Sequence, residues 1–105
     1  MKTCPGEIWL ADLGLAAKTR PVVIMSRVDD NPPRQLVVYV PLTTQNRGSA
    51  YEVNLGQLPC LYQPSVANVQ GIGTLPLIRL ERRLGVLRVA DMDRIKTALR
   101  FALEL

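Results

Sequence analysis

Arg20 is the residue whose type and position first suggest chemistry in this sequence. It stands directly before Pro21 and the apolar run Val22–Met25, which is typical of a buried strand. A charge that served only solubility would not need to lie at the mouth of the most buried segment. We therefore expect this charge to belong to a functional site. The alternative is a structural ion pair with Glu7 or Asp12.

The chain contains no histidine, which removes the commonest general base and the commonest metal ligand. Any catalysis therefore has to use arginine, lysine, carboxylate or hydroxyl side chains. The two cysteines, Cys4 and Cys60, make no disulfide framework, and their spacing does not suit a metal site. We expect free thiols, no metal and no cofactor.

Two amides, Asn68 and Gln70, lie two residues apart in a segment predicted to be a strand, which would place them on one face. Such a pair can read base edges in single-stranded RNA. The alternative is a buried polar pair that satisfies backbone groups beside a glycine-rich turn. Arg79, Arg82 and Arg83 could similarly form an ordinary solvated face or, together with Arg20 and Arg47, one basic groove.

The length of 105 residues predicts one domain, 1–105, and a hydrophobic content of 48% is sufficient for a packed core. The net charge of +4 favours an anionic partner such as nucleic acid or an acidic protein. No apolar run approaches the roughly 20 residues that span a bilayer. The N-terminal segment carries Glu7 and Asp12 within its apolar stretch, which is unlike a signal peptide. We expect a cytoplasmic protein without membrane association.

Several short strands have to position these side chains. The pattern predicts strands over Glu7–Asp12, Val22–Ser26, Gln35–Leu42, Tyr51–Leu55 and Ser65–Gln70, while Pro76–Arg83 is ambiguous between strand and short helix. Pro41, near the end of the third strand, suggests an edge or a bulge. Trp9 and Tyr39 lie within strand patterns, which favours core packing over base stacking.

The C-terminal segment is the clearest helix. Asp91 is the predicted N-cap, and Asp93 adds negative charge in the first turn. An apolar stripe with helical spacing follows, at Ile95, Ala98, Leu99, Ala102 and Leu103. One helix packed on many short strands predicts a mainly β fold, either barrel-like or a strongly bent sheet with a helical cap.

Motifs in a characteristic order identify a family resemblance. GEIWLADL (6–13), TRPVVIMS (19–26), VPLTTQ (40–45), SVANVQGIGTL (65–75) and RLERRLGVL (79–87) precede the terminal helix. This arrangement resembles the MazF/PemK family of toxins from toxin–antitoxin pairs. The resemblance implies a small SH3-like β-barrel with a C-terminal helix, a homodimer, and a metal-independent endoribonuclease that cuts single-stranded RNA. It also implies an acidic antitoxin whose disordered tail occupies the RNA groove.

The resemblance also implies site residues. The family's arginine before the P-V strand falls on Arg20 and its strand-end threonine on Thr43, which gives both a catalytic role. For Thr43 and its two neighbours the alternative is ordinary loop chemistry. The expected RNA-binding side chains are Lys18, Thr44, Gln45, Arg47, Asn68, Gln70 and Arg79.

The sequence departs from the family pattern at several positions. The first loop offers only Lys18, where many members carry an acidic residue or histidine. Asn68-Val69-Gln70 replaces an R-x-D pair, and Gly71-Ile72-Gly73 replaces Q-x-R. These changes fit a catalytically weak relative that binds RNA or antitoxin. A CcdB-like protein that poisons DNA gyrase is a further alternative, although we expect no exposed aromatic on the terminal helix for such contacts.

Overall fold

The computed structural model describes residues 2–14 and 18–105, which form an antiparallel sheet and one helix. The strands are β1 (Glu7–Asp12), β2 (Thr19–Ile24), β3 (Leu36–Thr43), β4 (Glu52–Gly56), β5 (Ser65–Asn68), β6 (Gly73–Pro76) and β7 (Leu80–Val86). The helix, α1, spans Val89–Leu103, and 3₁₀ turns lie at Val69–Gly71 and Leu77–Arg79. Part of the predicted first loop, residues 15–17, lies outside the described residues.

Within the described residues the strand order is β4-β5-β3-β2-β1-β7, and β6 pairs with β3. This order confirms the prediction of a mainly β fold with a C-terminal helix. The sheet is barrel-like rather than a closed barrel, since β4 and β7 stand at its two ends without pairing to each other. None of the helical segments in 2–14 and 18–105 has the length and apolar character needed to cross a bilayer.

The sheet buries apolar side chains on both of its faces. Val23 belongs to the core under the helix, whereas Val22 and Ile24 belong to a second core on the opposite face. A strand that is covered on both sides reads as a continuous apolar run rather than an alternating one. Trp9 and Tyr39 pack in the second core, which confirms their predicted packing role.

The second strand begins earlier than predicted. Thr19 already pairs with Asp12 and Arg20 with Ala11, so Arg20 lies inside β2 rather than before it. The strand ends at Ile24 instead of Ser26. The Val38 N–H donates to the Ser26 side-chain oxygen at 3.1 Å, and this bond takes the place of a backbone pairing.

Pro41 lies neither at an edge nor at a bulge, which corrects the prediction for the third strand. β3 is an internal strand, with β2 along one side and first β6 and then β5 along the other. The β6 pairing ends at Tyr39, and the β5 pairing begins at Leu42. Pro41 therefore stands where β3 changes partners, a position at which a missing N–H donor is tolerated.

The ambiguous segment contains both predicted structures, the 3₁₀ turn Leu77–Arg79 followed by β7. The strand β6, which lies just before it, was not predicted.

The predicted N-cap of the helix is wrong, because α1 begins at Val89 and Arg88 is its N-cap. Asp91 instead lies in the first turn, 2% exposed, and forms ion pairs with Arg88 at 3.4 Å and with Arg94 at 3.2 Å. Asp93 lies beyond the first turn.

The apolar stripe of α1 is largely confirmed. Ile95, Ala98 and Leu99 are buried against the sheet, whereas Leu103 is exposed at the last residue of the helix. Phe101 is 56% exposed, so the expectation of a helix without an exposed aromatic is wrong. Its ring contacts Tyr51, which precedes β4.

Candidate functional site

Two adjoining depressions form a polar groove, which we define by their lining. The first depression has a volume of about 410 Å³ and is lined by Leu13, Arg20, Pro41, Leu42, Thr43, Thr44, Gln45 and Asn68. The second has about 380 Å³ and is lined by Thr43, Gln45, Arg47, Ser49, Tyr51, Glu52, Asn68 and Gln70. The two share Thr43, Gln45 and Asn68.

Strand register explains why Arg20 and Thr43 meet in the first depression. β2 and β3 are antiparallel with Val22 opposite Pro41, so two residues back along β2, to Arg20, and two residues forward along β3, to Thr43, lead to the same end of the sheet. β5 brings Asn68 to this end, because Ala67 pairs with Leu42. The exposed Arg20 side chain therefore reaches a space that also receives a hydroxyl and an amide.

Side chains also shape the loop between β3 and β4. The Thr43 hydroxyl oxygen accepts a hydrogen bond from the Gln45 N–H at 3.2 Å, which turns the chain away from the strand. Asn46 Oδ1 accepts the Gly48 N–H at 2.9 Å, and Gly48 adopts a φ of 70°. Thr43 is the last residue of β3 and not a loop residue. Its hydroxyl oxygen accepts the Gln45 N–H, and its hydroxyl hydrogen remains available as a donor.

Glu52 closes this loop at its other end. Its carboxylate accepts the Arg47 N–H at 3.1 Å, the Ser49 N–H at 3.0 Å and the Ser49 hydroxyl at 2.8 Å. The Ser49 N–H first, then the Arg47 N–H and the Ser49 hydroxyl, hold the pKa of the Glu52 carboxyl below its usual value. A carboxylate with a lowered pKa and occupied oxygens is a poor general base. Its role here is to fix the loop.

Asn68 and Gln70 meet in the groove by a different route from the one predicted. β5 ends at Asn68, and Gln70 belongs to the following 3₁₀ turn, so the two do not share a strand face. Asn68 Oδ1 instead caps this turn by accepting the Gln70 N–H at 3.1 Å. The turn also packs closely on β3, since a Cβ on Gly71 would stand 2.6 Å from Pro41 Cγ.

Of the seven predicted RNA-binding residues, the groove brings together Thr44, Gln45, Arg47, Asn68 and Gln70. The described lining of the groove includes neither Lys18 nor Arg79. The Lys18 N–H donates to the Gly14 carbonyl at 3.0 Å at the start of β2. Arg79 Nη1 lies 3.1 Å from the position that a Cβ on Gly14 would take, so Arg79 lies near Gly14 as well.

A single groove containing all the basic side chains is not formed. Arg82 and Arg83 line a separate depression with Cys60 and Tyr62. Arg83 also donates to Glu7 Oε2 at 3.0 Å. Burial alone would raise the Glu7 pKa, but the hydrogen bonds from the Cys4 N–H, Trp9 Nε1 and Arg83 outweigh it, and the pKa is lowered. Glu7 therefore has a structural role, as an acceptor that joins β1 to β7.

Sequence reasoning missed several residues that line the groove, among them Ser49, Tyr51 and Glu52. A signal was present, because Ser49-Ala50-Tyr51-Glu52 has the S-x-x-E spacing of a capping box. One of the two capping-box bonds forms here, in a turn before a strand rather than a helix: the Ser49 N–H donates to the Glu52 carboxylate. The Glu52 N–H donates to the Ser49 backbone carbonyl instead of its hydroxyl oxygen. Across residues 2–14 and 18–105, no group of three or more cysteine, aspartate and glutamate side chains is arranged to hold a metal ion, and both cysteines are free thiols.

Comparison with known proteins adds independent information. The family model of PemK-like, MazF-like toxins of type II toxin–antitoxin systems matches residues 5–103. Endoribonuclease MazF3 of Mycobacterium tuberculosis is 34% identical over 88 residues, which is 84% of this chain and 85% of that protein.

Two solved structures share this fold at similar identity. The Mycobacterium tuberculosis toxin MazF-mt6 superposes with a TM-score of 0.83 at 33% identity, covering 94% of this chain and 97% of that one. An endoribonuclease in complex with its cognate antitoxin, from a mycobacterial species, superposes with a TM-score of 0.84 at 33% identity. That match covers 98% of this chain and 96% of the other.

Proposed function

Because the chain belongs to the PemK-like, MazF-like family of toxins from type II toxin–antitoxin systems, we propose that it is an endoribonuclease that cuts single-stranded RNA. The observation that carries this proposal beyond family membership is the convergence of Arg20, Thr43 and Asn68 in one polar depression. A guanidinium, a hydroxyl and an amide are the groups that a phosphate and a neighbouring base require.

The proposed reaction uses the 2′-hydroxyl of the RNA as nucleophile. A bond forms from this oxygen to phosphorus, the bond from phosphorus to the 5′-oxygen breaks, and the products end in a 2′,3′-cyclic phosphate and a 5′-hydroxyl. The nucleophile loses its proton and the leaving oxygen gains one. Arg20 would stabilise the charge on the phosphorane oxygens, and Thr43 would donate a further hydrogen bond. The guanidinium pKa, above about 12, makes Arg20 unsuitable as a general base.

The remaining groove residues would bind the RNA. Asn68, Gln70 and Gln45 offer amides for base edges, while Thr44 and Arg47 would contact phosphates. Lys18 and Arg79 both lie near Gly14 and outside the described lining of the groove, so they would contact RNA backbone beyond it. We assign the whole range 1–105 to one toxin domain that needs no metal or cofactor and acts in the cytoplasm.

Two partners complete the proposal. A homodimer would join two grooves across a two-fold axis; a stable monomer in sedimentation at micromolar concentration would contradict this. An acidic antitoxin would bind the polar groove, which carries Arg20 and Arg47, as a disordered segment that folds on binding. A related endoribonuclease has been solved with its cognate antitoxin. If saturating antitoxin left RNA binding unchanged, the shared-groove proposal would be wrong.

The decisive experiment is cleavage of a mixed RNA by purified protein in the presence of a chelator, with primer extension to map the new 5′ ends. The proposal expects discrete cuts and 2′,3′-cyclic phosphate termini. RNA binding without cuts would indicate a catalytically weak relative. The gyrase alternative, which would instead leave broken DNA, is not favoured because the relatives are named endoribonucleases.

A further inference from the structure

Tyr51 is the one aromatic side chain among the described residues that line the polar groove. It is half-buried and lies in the second depression with Arg47, Asn68 and Gln70. These neighbours are groups that can bind a phosphate or the edge of a base. The volume of about 380 Å³ is larger than a planar base requires.

The Tyr51 ring is held in place by the terminal helix. Its centroid lies 5.2 Å from that of Phe101, and the two ring planes meet at 60°, which is an edge-to-face contact. This is a preferred geometry for an aromatic pair. The Tyr51 carbonyl accepts the Val69 N–H at 2.9 Å, so the same residue is also tied to the turn that carries Gln70.

We propose that Tyr51 is a specificity-determining residue that stacks on one unpaired base of the RNA in the second depression, and that Phe101 positions its ring. The inference rests on the proposed function and names a contact that the reaction itself does not require. Single-stranded RNA is bound mainly through splayed bases that stack on aromatic faces while polar groups read their edges. Here Tyr51 lines the same depression as Asn68 and Gln70.

The competing explanation is that Tyr51 only packs against the core. The ring does contact apolar residues under the helix, so its removal lowers stability in either case. The two explanations differ in what they predict for RNA. A stacked base contributes to affinity at one nucleotide only, whereas a packing defect weakens binding of every RNA alike.

The experiment measures affinity by fluorescence anisotropy with an RNA that carries the mapped cut site and a 2′-deoxy nucleotide that blocks cleavage. Tyr51→Phe keeps the ring and should bind within about twofold of wild type. Tyr51→Leu should bind on the order of tenfold to a hundredfold more weakly, as loss of one stacked base predicts. An abasic nucleotide is then placed at each position in turn, and at one position only the difference between wild type and Tyr51→Leu should vanish.

Phe101→Leu supplies the second test, because it leaves Tyr51 in place but removes the edge contact. It should weaken RNA binding by less than Tyr51→Leu and lose this effect at the same abasic position. Val89→Ala, at another exposed position of α1, is the matched control and should bind as wild type does. Thermal melts of all variants show how much of each protein is folded under assay conditions.

The outcomes separate the inference from the proposed function. If wild type binds RNA and Tyr51→Leu binds equally well, or is weaker by the same factor with every abasic RNA, the stacking inference is wrong and the function stands. If wild type binds RNA but does not cut it, the cleavage proposal fails, and the same abasic series on the tightest-binding RNA of the mixture still decides the stacking inference. If wild type neither binds nor cuts any RNA, both are wrong.

Discussion

Glu52 accepts the backbone N–H of Arg47 at 3.1 Å, so a carboxylate holds the segment that presents a positive charge to the groove. The same carboxylate binds Ser49 through two further hydrogen bonds. In this loop, the residue that carries the positive charge and the residue that fixes the backbone are therefore different. The Arg47 side chain can serve a ligand, while its backbone is fixed by an acid that does not itself need to contact RNA.

The first prediction concerns the pH dependence of this loop. The Glu52 pKa is lowered from 4.5 in the folded protein, so its contribution to loop order is fully present above pH 4.5 and is lost as pH falls through the folded value. The amide resonances of Arg47 and Ser49 should therefore shift below pH 4.5 in wild type. In Glu52→Gln this titration should be absent, whereas Glu81→Gln, at an exposed glutamate of β7, should retain it. Persistence of the titration in Glu52→Gln would assign it to another group.

Arg20→Ala should lower single-turnover cleavage by on the order of 10²–10³, because one donor to the developing oxyanion is lost. The side chain is exposed, so we expect a stability loss of about 1 kcal/mol or less. Arg82→Ala is the matched control, since it removes an exposed strand arginine from a different depression. Full activity in a folded Arg20→Ala protein would exclude Arg20 from the site.

Thr43→Ala should reduce cleavage less than Arg20→Ala, because a neutral hydroxyl forms a weaker bond than a charged fork. It also removes the acceptor of the Gln45 N–H, so part of the loss should appear as weaker RNA binding. Thr43→Ser keeps the hydroxyl and should restore most of the rate. Separate measurement of affinity and single-turnover rate distinguishes the two effects, and equal defects in the serine and alanine variants would contradict a role for the hydroxyl.

Gly71→Ala should destabilise the fold by about 1–3 kcal/mol, the usual cost of overpacking, since the new Cβ would stand 2.6 Å from Pro41 Cγ. Denaturant unfolding measures the cost. Pro41→Ala removes the ring and should reduce the penalty in the double variant, which a double-mutant cycle reports as coupling. Additive effects would show that the close approach is relieved in some other way.

Glu7→Gln should lower the free energy of unfolding by about 1 kcal/mol at neutral pH, because bonds to a charged acceptor become neutral ones. The lowered Glu7 pKa means that its stabilising contribution is present above pH 4.5 and is lost as pH falls through the folded value. The variant should therefore lose less stability on acidification than wild type does. RNA cleavage per folded molecule should be unchanged, since Glu7 lies outside the groove. A reduced rate would show that the pairing of β1 with β7 affects the site.

Much of the fold follows from local pattern. β1 has its predicted bounds because its apolar residues and flanking turns act locally, and the stripe of α1 follows from helical spacing. The predicted ends of β2 and β5 are wrong because a side chain there takes a hydrogen bond that a backbone group would otherwise form. Ser26 ends β2, and Asn68 ends β5 by capping a turn, and neither event is visible in hydrophobic periodicity. The position of Pro41 depends on two strands that come later in the chain.

The candidate site could likewise be predicted only in part from the sequence. Arg20, Thr43 and Asn68 stand at strand ends that family resemblance marks, and sheet register brings them together. The pattern places Tyr51 at the start of a strand. It does not indicate the contact with Phe101, because this contact joins residues fifty positions apart in sequence. Periodicity within one segment contains no information about such a pair.

The change of partners along β3 also has a consequence for motion. The β4–β5 hairpin joins the rest of the sheet through the pairs Leu42–Ala67 and Thr43–Val66, and α1 packs on β4 and on the turn that follows β5. Arg20 lies on one side of this joint, whereas Tyr51 lies on the other. The groove thus lies across the joint between the β4–β5 hairpin and the rest of the sheet, and one core beneath α1 contains residues from both parts. Amide exchange should therefore show the hairpin, the helix and β2 opening together, as one cooperative unit.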